Sequence, residues 1–403
     1  MKFVKQVWKN IKTHKIQSIL CVMTAFLMAA MLDIYAGNIR EAHSQLASLP
    51  ELLPVYGYIT NLSGTRLAGL EIPEDMVHKF EQSELVRDVR YTTRLLGGEG
   101  NVKMEDWETD LRLTMAAAGD IRSIQDAEGA YLENINEMLK SEEKVCAVTP
   151  DAMKEYGWAL GDEVLLTVYY YYISNRFGEM KCLPLTTEEF TIEAVMEGEE
   201  RADEYAGVEI VFPIGTVRNL FHEKGLSCNA DSLSFYVRDP LSLNQFKQEM
   251  QGWGLLPVAE DAAMSLEGVA LRLRDSDFTA SASYLYRELD ILNGFLPAAA
   301  LLVFWIAYVA SYLMAQKRKE EFLLYRLLGL PKRNTIFLLF VEQVVPACFG
   351  VLLCYAAGYF FRQDIKVHGT EGLLLIAGYA AGCLGAWLRF AHAGEMRLMS
   401  LKE

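Results

Sequence analysis

Four long apolar runs stand out along an otherwise mixed polar and apolar chain, at 16–36, 293–315, 336–361 and 372–390. Each is close to the ~20 residues with which a helix crosses a ~30 Å hydrocarbon core. The first stands alone near the start, and the other three crowd the last quarter. Between them, 37–292 alternates short apolar and polar stretches in the manner of a globular domain. The predicted fold class is an α-helical membrane protein with four transmembrane helices, one plus three, and a mixed α/β domain between the first and second.

Residues 1–13 predict a short amphipathic helix lying flat in the interface. Phe3, Val4, Val7, Trp8 and Ile11 share one face, and Lys2, Lys5, Lys9 and Lys12 the other. Asp33–Leu49 continues helically beyond the first span and stops at Pro50. Strands are predicted at Leu53–Asn61, Val86–Leu96, Lys144–Val148, Val164–Ile173, Phe190–Met196, Glu209–Pro213 and Ser232–Arg238. Helices are predicted at Pro73–Gln82, Ala130–Lys140, Thr149–Tyr156, Ile214–Phe221 and Leu243–Gln251. Gly97 to Gly100 is read as a turn. Ser276–Leu292 is a helix running straight into the second span, so paired helical stalks are expected.

Charge sets the orientation. Residues 37–292 hold 22 lysines and arginines against 45 aspartates and glutamates, while the remainder is basic. Five lysines precede the first span; Lys317, Arg318, Lys319, Arg326, Lys332 and Arg333 follow the second. The positive-inside rule then puts both termini, the 316–335 segment and the 391–403 tail in the cytoplasm, and 37–292 outside. The first run is expected to stay as an anchor, because it is long for a signal peptide and lacks a clear cleavage site. The acidic domain argues against nucleic acid and would suit a cationic ligand.

Motifs for catalysis are missing. No P-loop, HExxH or GxSxG spacing occurs, and His14, His43, His78, His222, His368 and His392 are scattered, so the chain reads as neither an enzyme nor a metal or cofactor protein. Of seven cysteines, only Cys146, Cys182 and Cys228 lie outside the spans, which allows one disulfide at most. Glu342 sits about two turns into the third span. It either makes an interhelical contact or snorkels to the interface. Gly378, Gly382, Ala381 and Gly385 in the fourth run, with Gly350 and Gly358 in the third, permit close helix packing.

The segment Gln316–Asn334 is too apolar for a free loop and too charged for a span. Phe322, Leu323, Tyr325, Arg326 and Leu327 predict a short interfacial helix that Gly329-Leu330-Pro331 ends. Here the chain resembles the MacB/FtsX-type permeases of ABC transporters. Their basic run, glutamate, apolar residue, basic residue, Leu-Gly and basic pair are matched by Glu321, Phe322, Arg326, Leu328, Gly329, Lys332 and Arg333. Pro331 departs from the usual small polar residue. The resemblance extends to 140–250, where Val145–Val168 looks like the family's strand–helix–Gly-Asp–strand unit, and is weak from 50 to 130.

That resemblance implies a permease subunit in the prokaryotic cell membrane, paired as a homodimer or with a paralogue, that works with a separate ABC ATPase. ATP would be used by that partner. Residues 318–333 would dock on it, with Phe322, Tyr325 and Leu328 as apolar anchors and Arg326 as a polar one. The implied activity is export or extraction of a peptide, antibiotic or lipid-like substrate. The alternative is an FtsX-like signalling protein that regulates an extracellular partner, such as a cell-wall hydrolase, without transport.

Overall fold

The computed structural model describes residues 2–103, 113–125, 128–173, 180–196, 205–259, 268–362 and 369–400. The chain divides into two compact units, Ser48–Ala282 and a second formed by Met1–Ala47 with Ser283–Glu403.

Among the described residues, the Ser48–Ala282 unit is built on one sheet of ten strands. They are β1 (Tyr56–Thr60), β2 (Val86–Glu99), β3 (Leu113–Ala118), β4 (Val145–Val148), β5 (Glu163–Ile173), β6 (Met180–Val195), β7 (Ile210–Pro213), β8 (Ser232–Val237), β9 (Leu256–Pro257) and β10 (Ala270–Arg274). The order is β3-β7-β4-β6-β5-β2-β8-β1-β10-β9, with a further β3–β2 pairing. That last pairing closes six strands, β2 to β7, into a small ring. β2 serves both halves of the sheet: Val86–Thr92 pairs with β8, while its second half pairs with β3 and β5. A register shift between Arg87 and Arg90, with Asp88 at φ 51°, marks a bulge within the β8-paired stretch.

Gly97 and Gly98, expected in a turn, lie inside β2, and only Gly100 falls beyond the strand. A Cβ at Gly97 would stand 2.3 Å from the Thr167 carbonyl oxygen and 2.6 Å from Met115. Glycine is needed there because the ring wall is too tight for a side chain.

Helices cover one face of the open half of this sheet. The helix α3 (Glu74–Gln82) brings Phe80, and α7 (Leu243–Gly252) brings Phe246, onto Phe235 of β8 at ring distances of 4.9 and 5.9 Å. The ring half is filled by Ile135, Met138 and Leu139 of α4 (Gly129–Leu139) with Ile121, Ile124 and Val211. Two shorter helices, α5 (Pro150–Tyr156) and α6 (Ile214–Glu223), follow β4 and β7. The Thr149 hydroxyl caps α5 by accepting from the Ala152 N–H, and Gly157 ends it at φ 74°. Cys146, Cys182 and Cys228 are all free thiols.

The second unit is helical. It contains α1 (Lys2–Thr13), α2 (Lys15–Leu52), α8 (Ser276–Lys317), α9 (Lys319–Leu327), α10 (Lys332–Arg362) and α11 (Gly369–Ser400), of which α2 and α8 continue from the sheet unit. Three of these, α2, α8 and α10, are long and apolar enough to cross a membrane; α11 carries a shorter apolar stretch at Leu375–Phe390. α2 runs past Leu49 to Leu52 with Pro50 inside it, and α11 extends helically through much of the expected tail, to Ser400. Residues 363–368, between the third and fourth runs, and 401–403 lie outside the described residues.

Ala25 and Met28 of α2, Val303 and Ala307 of α8, Ala347 and Val351 of α10, and Tyr379 and Cys383 of α11 form one buried cluster. Small residues set the spacing. A Cβ at Gly350 would lie 2.4 Å from the Val22 carbonyl oxygen, and one at Gly382 would lie 2.7 Å from that of Phe304. Gly378 meets nothing within 4 Å, so it has no part in that packing. Beyond that cluster, the Tyr35 hydroxyl of α2 donates to the Leu292 carbonyl of α8.

Candidate functional site

The segment between α8 and α10 forms one short helix fastened to its neighbours at one end and along one face. Arg318 sits where α8 gives way to α9 and is only 4% exposed. Its Nη1 donates to Glu342 Oε2 of α10 at 2.5 Å, and its Nε lies 3.0 Å from Glu321 Oε2. Asn10 of α1 donates to Glu342 Oε1 at 2.5 Å and approaches the Tyr325 hydroxyl at 3.2 Å. His14, in the break between α1 and α2, lies 2.9 Å from Glu321. Three segments of sequence, around 10–14, 318–325 and 342, therefore meet on two carboxylates.

Glu342 does not snorkel. Its side chain is 3% exposed, and both oxygens are taken by Arg318 and Asn10. The adjacent Gln343 accepts from Trp387 Nε1 of α11 at 3.2 Å. Four residues on, Pro346 has no N–H to give the Glu342 carbonyl, so α10 lacks one rung of its hydrogen-bond ladder at the residue that holds the ion pair.

The apolar face of α9 divides differently from expectation. Phe322, assigned as an exposed anchor, is 5% exposed and packs with Ala315, Ile336, Leu339, Trp387 and Phe390; its ring meets Phe390 edge-on at 5.8 Å. It holds α9 to the bundle and has no free surface for a partner. The outward residues are Leu324, Leu327 and Leu328, exposed by 57%, 85% and 77%. Leu328 was anticipated; Leu324 and Leu327 were not, because a nine-residue sequence with apolar residues on most sides does not reveal which face is covered. Tyr325 is half-buried toward Asn10, and Glu321 is one-third exposed.

The turn after α9 is a Schellman motif. The Leu330 N–H reaches the Tyr325 carbonyl at 3.2 Å, and the Gly329 N–H reaches that of Arg326 at 3.1 Å. Gly329 adopts φ 84°, which β-carbon residues rarely accept. Arg326 Nη1 closes the turn by donating to the Leu330 carbonyl at 3.0 Å. Pro331 then precedes α10, with Lys332 half-buried and Arg333 exposed in its first turn. Pro331 accepts from the N–H groups of Asn334 and Thr335, so it opens α10 without disturbing the turn.

No group of three or more His, Cys, Asp or Glu side chains among the described residues is placed to hold a metal ion. The arrangement is a stapled helix between two membrane-length helices, presenting three leucines.

A comparison with protein families bears on the same region. Residues 293–390, which include this segment and the three helices around it, match the family model described as FtsX-like permease C-terminal. This part of the chain is therefore similar to the FtsX-like permeases. Two similar solved structures are the periplasmic region of MacB from Actinobacillus actinomycetemcomitans and the extracellular domain of the noncanonic ABC-type transporter YknZ from Gram-positive bacteria. The first is 13% identical with a TM-score of 0.31, covering 57% of this chain and 92% of that one. The second is 10% identical with a TM-score of 0.30, covering 54% and 99%. No curated protein matches the chain.

Proposed function

We propose that this chain is the permease subunit of an ABC transporter that exports or extracts a peptide, antibiotic or lipid-like substrate. In this reading α11 completes a set of four spans, both termini are cytoplasmic, and 37–292 lies outside. The chain pairs with a second copy or a paralogue, and a separate ATPase binds the ATP. The ATPase seats on α9.

The observation that carries the reading is the division of α9 into two faces. Arg318, Glu321 and Phe322 fix the helix to α8, α10 and α11, and Leu324, Leu327 and Leu328 are left exposed between two membrane-length helices. A surface helix that exposes three leucines in water would be a liability unless a partner covers them. Because α9 is fastened through buried ionic contacts rather than a flexible loop, a push on the leucines moves α8 and α10 with it. The nucleotide state of the ATPase supplies the differential interaction that such a change requires.

The test is purification of the protein from its native membranes in mild detergent, with identification of co-purifying chains and an ATP hydrolysis assay. A stoichiometric P-loop ATPase is expected with the wild type and not with Leu327→Asp, whose side chain would sit in the covered face. An intact protein that brings down no ATPase would overturn the reading.

A further inference from the structure

We propose that the Ser48–Ala282 unit carries a binding cleft for a ligand with a phosphate or carboxylate group on an apolar or planar body. The proposal goes beyond the coupling role of α9 and does not depend on it.

The open half of the sheet has two unlike faces. On β8, Leu233, Phe235 and Val237 point into the core under α3 and α7, while Ser232, Ser234 and Tyr236 alternate to the other side and are half-buried. Neighbouring strands place Tyr56 opposite both Tyr236 and Arg274, and Arg90 opposite Ser234. The outward face therefore carries tyrosines, serines and arginines in register, where an ordinary solvated face in so acidic a domain would carry carboxylates. These residues line a cavity of about 740 Å³, within the range of small-molecule sites.

The aromatic part is pre-arranged. The Tyr56 ring centroid lies 5.3 Å from that of Tyr236 and 5.8 Å from that of Tyr58. Arg274 stands over both Tyr56 and Tyr58, and Arg90 over Tyr236, each at just under 6 Å. Guanidinium groups held against rings lose little freedom when they bind an oxyanion, and their fork suits phosphate or carboxylate.

The charge is only partly cancelled locally. Three arginines, Arg90, Arg122 and Arg274, line the cavity against a single lining carboxylate, Asp277. Behind them Asp120 is engaged by Arg122 through its side chain and backbone N–H. Arg90 Nε lies 3.6 Å from the same carboxylate and is buried with no hydrogen-bond partner, so its guanidinium is under-satisfied. The cleft is thus a cationic site within an acidic domain, opposite in sign to what the overall charge suggests.

Its position gives binding a consequence. The cavity is also bounded by Leu53 and Pro54, which follow α2, and by Asp277 and Phe278 in the first turn of α8. A ligand there would touch the sheet-side ends of the two helices that continue from this unit, and so would bias their placement.

The test is calorimetric titration of the full-length protein in nanodiscs of neutral phosphatidylcholine. Phenyl phosphate represents a soluble source of the anion and dihexanoyl phosphatidic acid a lipid source, with phenol and dihexanoyl phosphatidylcholine as uncharged or zwitterionic controls. Saturable binding of at least one anionic probe is expected, weakened by salt, and whichever probe binds more tightly identifies the source. Arg274→Gln should weaken it at least about tenfold, the loss expected for one charge-assisted contact. Asp277→Asn should tighten it by roughly two- to fivefold, a gain that misfolding cannot mimic. Lys154→Gln, on α5 and not part of the cleft lining, should leave it unchanged. Binding no stronger than the controls, or binding indifferent to both Arg274→Gln and Asp277→Asn, would overturn the proposal.

Discussion

Arg318 and Glu342 meet at 2.5 Å with both side chains almost wholly buried, joining the end of α8 to the third turn of α10 across the base of α9. A buried pair of this kind is a weak source of net stability, since both ions lose their hydration. It is costly to break by halves. Glu342→Gln is expected to destabilise the protein by about 3–5 kcal/mol, because it leaves a buried guanidinium without its counter-ion. Combining Arg318→Met with Glu342→Leu should recover much of that loss. Thermal unfolding in detergent of the two singles and the double checks the coupling; additive losses would show that the two residues act separately.

The Schellman turn gives a second prediction. Gly329 at φ 84° has open space around a hypothetical Cβ, so the penalty for replacing it is one of backbone conformation alone. Gly329→Val should cost roughly 1–3 kcal/mol locally and misplace Leu328 and Leu330, while Gly329→Asn, which tolerates the left-handed region, should be mild. ATPase yield on co-purification should follow that order, with membrane insertion equal in both. Equal yields would show that the turn does not shape the docking face.

Acid sensitivity of the Ser48–Ala282 unit follows from Asp120. Its partial burial alone would raise the carboxyl's pKa, but the Arg122 side chain and backbone N–H, with Arg90 behind them, outweigh this and hold it below the usual carboxylate range. A carboxylate with a depressed folded-state pKa adds stability above its unfolded value, near ~3.9, and loses it as pH falls through the folded value. Wild type should therefore be more stable than Asp120→Asn at pH 6, and the gap should close as pH drops below about 4. Melting curves of both proteins from pH 6 downward measure it. A gap that stays constant would mean that Asp120 acts only through shape.

The free cysteines report sidedness and burial together. Burial pushes the Cys146 thiol up to about 12 and the Cys228 thiol up to about 11, and both are shielded from solvent. Cys182 is only partly covered, against Val102 and Tyr169. A membrane-impermeant maleimide added to intact cells should modify Cys182 slowly and leave the other two unmodified until the domain unfolds. Modification of Cys182 only after lysis would place the domain on the cytoplasmic side.

The parts of this molecule that sequence discloses are those governed by local pattern. The apolar runs locate α2, α8, α10 and the apolar part of α11, and Thr149-Pro150 locates the start of α5 through its cap. β3 escaped because Leu113–Ala118 is alanine-rich and buried almost throughout, so it lacks the alternation of a half-exposed strand. Gly97 looked like a turn because the crowding that demands glycine comes from β3 and β5, not from its neighbours in sequence. Within 316–335, Gly329 and its turn were visible, being local. The inward set of Phe322 and the pairing of Glu342 were not, since they depend on Phe390, Arg318 and Asn10, residues brought in by the tertiary fold.

The central claim is that the outward leucines of α9 are the seat of an ATPase. Site-specific photocrosslinking in native membranes addresses it directly, with a benzophenone amino acid placed in turn at positions 327, 328 and 322. Adducts with a P-loop ATPase are expected from 327 and 328 and none from 322, whose side chain is enclosed by α10 and α11. Adducts from 322 as strong as those from 327, or none with any ATPase from either outward position, would contradict it.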